Sequence, residues 1–417
     1  MDQILVRGGN PLRGSVNIRG AKNSVLPLMA ASLLAEEPCV LHNVPCLHDV
    51  FSMDKVLTEI GVRVDFTGQS MTLDPTTAES REAPYELVRK MRASFFILGP
   101  MLARFGEARV SLPGGCAIGS RPVDIHLKGF EALGVSICIE DGYVVAKGRP
   151  KGANVGLDYP SVGATENLLM AATLGDGVTR LINVAREPEI VDLAKFLNSM
   201  GAQISGAGTD LITIVGVDSL SGTEHEVIAD RIETGTFLIA GLATGGDVTA
   251  CNTNAEHLEQ FVDKLREMGA EIEVSGSKIR ATAPNGLKAV DVSTGPYPGF
   301  PTDLQAQIMA LMCVVQGTSI IKECVFENRF MQVAELSRMG ADIEVEGNSA
   351  VIRGVSSLSG APVMASDLRA SASLIIAGLI ASRGETMVSR VYHIDRGYER
   401  IEERLASLGA DIRRKRG

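Results

Sequence analysis

The chain has 417 residues, is 45% hydrophobic and 22% charged, and carries a formal net charge of −10 with no tryptophan. Its length allows two or three domains, and its apolar content is that of an ordinary globular protein whose core is built from aliphatic side chains. The acidic balance excludes a broad nucleic-acid face, which needs clustered Lys and Arg, but leaves room for a local cationic pocket.

The first residues, MDQILVRGGN, predict a strand and show neither the apolar core nor the cleavage pattern of a signal peptide. AKNSVLPLMAASLLAEE then predicts a helix that is apolar nearly all round, which marks a buried helix. The run CVLHNVPCLH at 39–48 fits no common zinc spacing and its first half reads as a strand, so no metal site is expected. A second, amphipathic helix ends in LTEIG, and a hairpin follows. The same order recurs from RASFFILGPMLARFGE, ATENLLMAATLGDG, ETGTFLIAGLATGG, DLQAQIMALMCVVQG and LRASASLIIAGLIAS. The greasiest run, SLIIAGLIAS, is half the roughly 20 residues of a membrane span, so a cytoplasmic protein is expected. The seven cysteines, an odd number, read as mostly buried thiols of a reducing compartment.

The amphipathic helices end at Gly61, Gly134, Gly201, Gly269, Gly340 and Gly409, about 70 residues apart, as six copies of one supersecondary unit would. Glycine is the expected stop of each helix. The unit reads helix, strand, helix, strand, strand. The sixth copy lacks its final strand, and the N-terminal strand has no copy before it, so the N-terminal strand is expected to complete the sixth unit. Two α/β domains of three units follow, 21–229 and 1–20 with 230–417, with sheets outside and apolar helices inside.

The second copy is about three to five residues longer than the others between strand and helix, and the excess falls on GGCAIGSRP, a glycine-rich loop of the kind that carries function. Its Cys116 lies near Arg121, a cation that favours the reactive thiolate. Other copies place Arg186, Glu189, Glu327, Arg329, Asp395 and Arg396 in the same connection. A second set of polar residues stands where the apolar helices begin: Lys22, Asn23, Arg92, Asp230, Arg231, Glu233, Asp303, Asp367 and Arg369. Helix N-termini attract anions, so the two sets together predict a site for an anionic substrate. No GxGxxG after a strand, no P-loop and no zincin pattern occurs, which removes the dinucleotide, P-loop and zinc-protease readings.

RGAKNSVLP, MRASFFILGP, LPGGCAIGSRPVDIHL, SVGATEN, DRIETGTFL, PTDLQAQ, FENRF, DLRASASL and HIDRGYERIE together resemble the UDP-N-acetylglucosamine enolpyruvyl transferase family over the whole chain. The resemblance implies an inside-out α/β barrel fold in two domains and a reaction that moves the enolpyruvyl group of phosphoenolpyruvate to the 3-hydroxyl of UDP-N-acetylglucosamine. Phosphate is released by addition–elimination, as the first committed step of peptidoglycan synthesis, with no cofactor and no metal. It makes Cys116 the loop thiol that forms a phosphoenolpyruvate adduct, is alkylated by fosfomycin and protonates C3. Asp303 becomes the base for the 3-hydroxyl, with Lys22 and Arg396 also catalytic. Lys22, Asn23, Arg121, Arg369 and Arg396 would hold phosphoenolpyruvate. Arg92, Arg121, Pro122, Val123, Asp124, Ile125, Ser161, Val162, Gly163, Asp303 and Val325 would hold the sugar nucleotide. Tyr159 stands where some relatives have a lysine, so no cation reaches the diphosphate from that position. A monomer is expected. Two alternatives share the architecture: a 5-enolpyruvylshikimate-3-phosphate synthase, and a silent regulatory copy that binds UDP-sugars.

Overall fold

The structure is a computed structural model that describes residues 2–88, 91–112 and 123–417, with the side chain of Arg92 also outside the description. Cys116, Arg121 and Pro122 therefore lie outside the described residues.

The chain divides into two compact units. One runs from Gly20 to Ile228; the other takes the chain up to Arg19 and again from Ala229 onward. Each has its own hydrophobic core. Apolar helices form that core because their surfaces are almost wholly apolar, and buried charges on them such as Arg369 and Glu233 have ion-pair partners. In the helix Arg231–Ala243 every residue from Ile232 to Leu242 is buried, and in Leu368–Ile380 every residue from Leu368 to Leu379 is buried. The outer helices bury one stripe only; Glu259–Glu267 buries Phe261, Val262 and Leu265 and leaves its charges in solvent. Among the described residues no helix is long and apolar enough to cross a membrane.

The six glycines that stop the outer helices all have positive φ, from 78° at Gly134 to 110° at Gly201, a conformation that costs a side-chain-bearing residue energy. A hairpin follows each outer helix in five of the copies. In the sixth, Asp411–Lys415 pairs antiparallel with the N-terminal strand Gln3–Arg7, which lies between it and Thr386–Ser389.

The repeating unit needs one correction. Each copy begins with a short strand that the sequence pattern did not show, so the unit is strand, helix, strand, helix, strand, strand. In the second copy Glu82–Ala83 pairs parallel with Glu107–Ser111, Tyr143–Lys147 pairs antiparallel with the latter, and Ser136–Glu140 lies outermost. Among the described residues six four-stranded sheets share this order. The parallel edge strand of the fourth copy is Arg13–Asn17 and that of the first is Glu224–Glu226. Edge strands of two to five residues are too short to display a period of two.

The cysteines also need correction. Of the six described, Cys39 and Cys313 are buried, but Cys46, Cys138 and Cys324 are exposed and Cys251 is intermediate. Cys138 and Cys251 lie on strands whose outward-facing positions meet solvent.

Candidate active site

In the unit that includes Ala229–Gly417, the starts of three apolar helices converge. The buried Tyr398 hydroxyl joins them: it lies 2.8 Å from Thr236 Oγ1 and receives hydrogen bonds from Gln307 Nε2 and Arg369 Nη1, each at 3.3 Å. Thr236, Gln307 and Arg369 belong to three different inner helices. Asp303 stands beside them on the turn Thr302–Leu304, two residues before the helix Gln305–Met312. Its two oxygens accept from two different guanidiniums, Arg329 Nη2 at 2.5 Å and Arg369 Nη2 at 2.8 Å.

Burial would raise the Asp303 pKa, but Arg369 and Arg329 outweigh it and hold the carboxyl well below the usual carboxylate range. Both arginines are buried, with side chains 7% and 6% exposed, whereas that of Asp303 is 25% exposed. Arg329 is held from behind as well. Its Nη1 donates to Thr302 Oγ1 at 2.9 Å, and its guanidinium carbon lies 5.0 Å from the centroid of the Phe326 ring. Thr302 in turn donates to Glu323, whose other oxygen accepts from the Val325 and Phe326 amides and from Thr294. The half-buried Val325 is thus placed by its own backbone bond to Glu323.

Arg396 ends the short helix Val391–Arg396 and is half-buried. The preceding Asp395 is gripped by both Nη atoms of Arg414 at 2.5 and 2.9 Å, which fixes the turn that presents Arg396. Two helix starts that looked open to anions are occupied by their own side chains. Asp230 accepts from the amides of Ile232 and Glu233, and Asp367 from those of Arg369 and Ala370. Both are N-caps.

In the unit Gly20–Ile228, Lys22 opens the helix Lys22–Ala31, followed by Asn23, and its Nζ lies 2.6 Å from Asp49 Oδ2. Two residues on, Ser24 donates to Asp192, whose other oxygen lies 2.9 Å from His225 Nε2. Ser161 caps the helix Val162–Thr173 by accepting from the Ala164 amide at 3.3 Å. Gly163 lies so close to Phe96 and His126 that an added Cβ would stand 3.1 and 3.4 Å from their rings. Buried Val123, exposed Asp124 and half-buried Ile125 open the helix Asp124–Ala132, which carries His126. The expected sugar-nucleotide residues at 123–125 and 161–163 therefore come together, and the backbone of Arg92 begins the turn Arg92–Ile97 that carries Phe96. Tyr159 is exposed beside them.

Arg329 was among the charged residues from which an anion site was expected, without a role of its own; Glu323, Tyr398 and Asp49 were not among the predicted site residues. A signal for Glu323 did exist. The first, third and fourth copies place Asn43, Asn183 and Asn252 at that point, each at φ near +57° and each donating to the carbonyl just after an edge strand. Only the fifth copy has a carboxylate there.

The family model described as EPSP synthase (3-phosphoshikimate 1-carboxyvinyltransferase) matches residues 6–405. A curated relative from Magnetococcus marinus, a UDP-N-acetylglucosamine 1-carboxyvinyltransferase, is 57% identical over 417 residues, covering 99% of both chains. The chain belongs to this family. A Granulibacter bethesdensis relative of the same name is 56% identical over 422 residues and 100% of each chain. Among solved structures, the enolpyruvyl transferase NikO from Streptomyces tendae superposes with a TM-score of 0.90 at 26% identity, covering 99% of both chains. An EPSP synthase from Acinetobacter baumannii, at TM-score 0.76 and 17% identity over 100% of each chain, shares the fold alone. The fold is thus that of the enolpyruvyl transferases, and the high identity lies on the sugar-nucleotide branch.

Proposed function

We propose that the chain transfers the enolpyruvyl group of phosphoenolpyruvate to the 3-hydroxyl of UDP-N-acetylglucosamine and releases phosphate. The observation that carries this reading is the Asp303 carboxylate set between Arg329 and Arg369 where three helix starts meet, in a chain of this family. Addition breaks the 3-O–H bond, whose proton goes to Asp303, and joins that oxygen to C2 while C3 takes a proton from Cys116. Elimination breaks the C2–O bond to phosphate, which leaves with the electron pair, and a C3 proton returning to the Cys116 thiolate restores the double bond. Lys22, Arg121, Arg369 and Arg396 supply the positive field for the phosphate and carboxylate, with Asn23 as a neutral hydrogen-bonding partner, and arginine forks suit both anions. Val123, Asp124, Ile125, Ser161, Val162, Gly163 and Val325, with Arg92 and Pro122, frame the sugar nucleotide. This chemistry belongs to peptidoglycan synthesis in the cytoplasm, and the reading takes the chain as a monomer.

The test is phosphate release from phosphoenolpyruvate with UDP-N-acetylglucosamine or shikimate 3-phosphate as acceptor, with and without fosfomycin. Release with the sugar nucleotide alone, stopped by fosfomycin with alkylation of Cys116, is expected. Release with shikimate 3-phosphate would move the chain to the sister reaction. Binding of the sugar nucleotide without any release would make it a silent copy.

A further inference from the structure

Asn167 is fully buried, and its amide finds partners on three other stretches of the chain. The Gly99 amide donates to Asn167 Oδ1 at 2.7 Å, and Asn167 Nδ2 donates to the Phe95 carbonyl at 3.0 Å. A backbone N–H can only donate and a backbone carbonyl can only accept, so the two ends of the amide are assigned without choice. The second Nδ2 hydrogen is then directed at His126 Nδ1, 3.2 Å away. A ring nitrogen that accepts a hydrogen bond carries no proton of its own, so His126 is the tautomer protonated at Nε2. The opposite edge of that ring faces Gly163: a Cβ added there would stand 3.4 Å from Cε1 and 3.5 Å from Nε2 of His126. The ring is 7% exposed and packs edge-on against Phe95, with centroids 5.3 Å apart.

The stretches that this amide joins are those assigned above to the sugar nucleotide. Phe95 lies on the turn Arg92–Ile97, His126 in the first turn of Asp124–Ala132, and Asn167 four residues beyond Gly163 on the helix that Ser161 caps. Gly99, in the first turn of Leu98–Phe105, has an N–H that its own helix leaves without a partner. That helix comes so near that a Cβ added at Gly99 would stand 2.3 Å from the Asn167 carbonyl oxygen. The other unit uses the same helix position. Thr236 lies six residues after its N-cap Asp230, as Asn167 does after Ser161, and it meets Gln307 and Arg369 through the Tyr398 hydroxyl.

We propose that Asn167 is the positioning residue of the acceptor site: its amide holds the Arg92–Ile97 turn, the start of Asp124–Ala132 and the Ser161–Gly163 cap together, and fixes His126 as the tautomer whose Nε2–H edge is turned to Gly163 as a donor for the sugar nucleotide. This rests on the enolpyruvyl-transfer reading. An apolar side chain of the same size would fill the space, but it would leave the Gly99 N–H and His126 Nδ1 without this partner and the ring free to change tautomer.

The experiment compares wild type with Asn167→Leu, which keeps the volume and removes all three bonds, and with Asn167→Asp, which keeps the acceptor for Gly99 and has no N–H to give. Imidazole nitrogen NMR of protein labelled at its six histidines reads the tautomer, with the His126 signals assigned by their absence from His126→Gln. Wild type is expected to show a bare Nδ1 and a protonated Nε2, and Asn167→Asp a protonated Nδ1. In Asn167→Leu the Kd for UDP-N-acetylglucosamine is expected to rise on the order of tenfold or more, and the KM for it likewise, while kcat at saturating acceptor falls less. An amide needed for the fold alone would lower the melting temperature of Asn167→Leu and leave that Kd unchanged. Such a result, or a wild-type His126 protonated at Nδ1, overturns the proposal and leaves the transferase reading intact. Should neither variant accumulate folded, wild type alone decides. Its His126 Nε2–H signal is expected to shift when UDP-N-acetylglucosamine is added, and an unmoved signal in protein that calorimetry shows to bind overturns the proposal. A wild type that neither binds the sugar nucleotide nor releases phosphate overturns both readings.

Discussion

Glu166 is 1% exposed, and neither of its carboxyl oxygens has a hydrogen-bond partner among the described residues. Burial first, then the nearby charges of Glu189 and Glu187, push its pKa well above 4.5. The unfolded chain releases this proton near 4.5 while the folded chain retains it, so the folded state binds more protons and stability falls as pH rises from there. The contribution is complete below that value and is gone once the raised folded pKa is passed. Glu166→Gln keeps the shape and cannot ionise. It is expected to be more stable than wild type near pH 8 by about 1–3 kcal/mol and equal to it near pH 4. Urea denaturation at the two pH values checks this, and equal midpoints at the higher pH would show that the carboxyl costs nothing. A second expectation concerns the thiols. Burial pushes Cys39 up to about 11 and Cys313 up to about 12, so near pH 8 about one Cys39 in a thousand is thiolate. Brief iodoacetamide treatment followed by peptide mass spectrometry is expected to label the exposed Cys46, Cys138 and Cys324 and to spare Cys39 and Cys313. Residue type alone did not separate these groups: Cys39 and Cys138 both lie on strands and differ by the face their register gives them, Cys46 and Cys324 lie in loops, and Cys313 follows a buried helix. The members of the Asp303 cluster were named from the sequence, but their pairing was hidden for another reason. The arginines lie 26 and 66 residues from Asp303 in the chain, and no local pattern links them.

At the scale of elements, what repeats was legible and what departs from the repeat was only partly so. A helix-stop glycine is a one-residue requirement, and six copies of it displayed the architecture. The short parallel edge strands carry no periodic signal and appear only when a neighbouring strand gives them partners. The asparagines after the central strands show the same logic from the other side. Asn43, Asn183 and Asn252 adopt a left-handed backbone and tie the strand end to the edge strand's carbonyl. Asparagine tolerates that backbone better than most residues. The second, fifth and sixth copies put Leu112, Glu323 and Arg390 there instead. Those three copies also bear Cys116, Asp303 and Arg396, whereas the first copy keeps Asn43 and bears the fourth expected catalytic residue, Lys22. Arg390 retains a φ of 60° and is exposed. Arg390→Asn is therefore expected to stabilise the fold by about 0.5–1 kcal/mol, while Asn183→Ala, which loses both the tolerance and the bond to Leu157, is expected to cost about 1–2 kcal/mol. Thermal or urea denaturation of the pair reads both signs, and a destabilised Arg390→Asn would show that the arginine has a role beyond the turn.

For the whole molecule, the two units differ in how their chain is assembled. The unit Gly20–Ile228 is continuous apart from the residues outside the description, and the edge strand of its first sheet, Glu224–Glu226, comes from its own end. The other unit borrows. Gln3–Arg7 is the inner strand between Thr386–Ser389 and Asp411–Lys415, with Ile4 and Val6 fully buried, and Arg13–Asn17 is the edge strand beside Asp247–Cys251. Removing an inner strand exposes the backbone donors and acceptors of both neighbours and opens the core beneath them. A fragment of residues 20–228 is expected to fold alone, with a cooperative urea transition and slow amide exchange in its inner helices. A fragment of 229–417 is expected to remain unfolded or to aggregate. The same fragment with residues 1–19 joined after Gly417 through a flexible linker is expected to recover a cooperative transition, since Gln3–Arg7 and Arg13–Asn17 would again fill both places. Cooperative folding of 229–417 without those strands would mean that its three-copy assembly does not depend on the borrowed N-terminus, and that the crossing of the chain between units is a matter of connectivity alone.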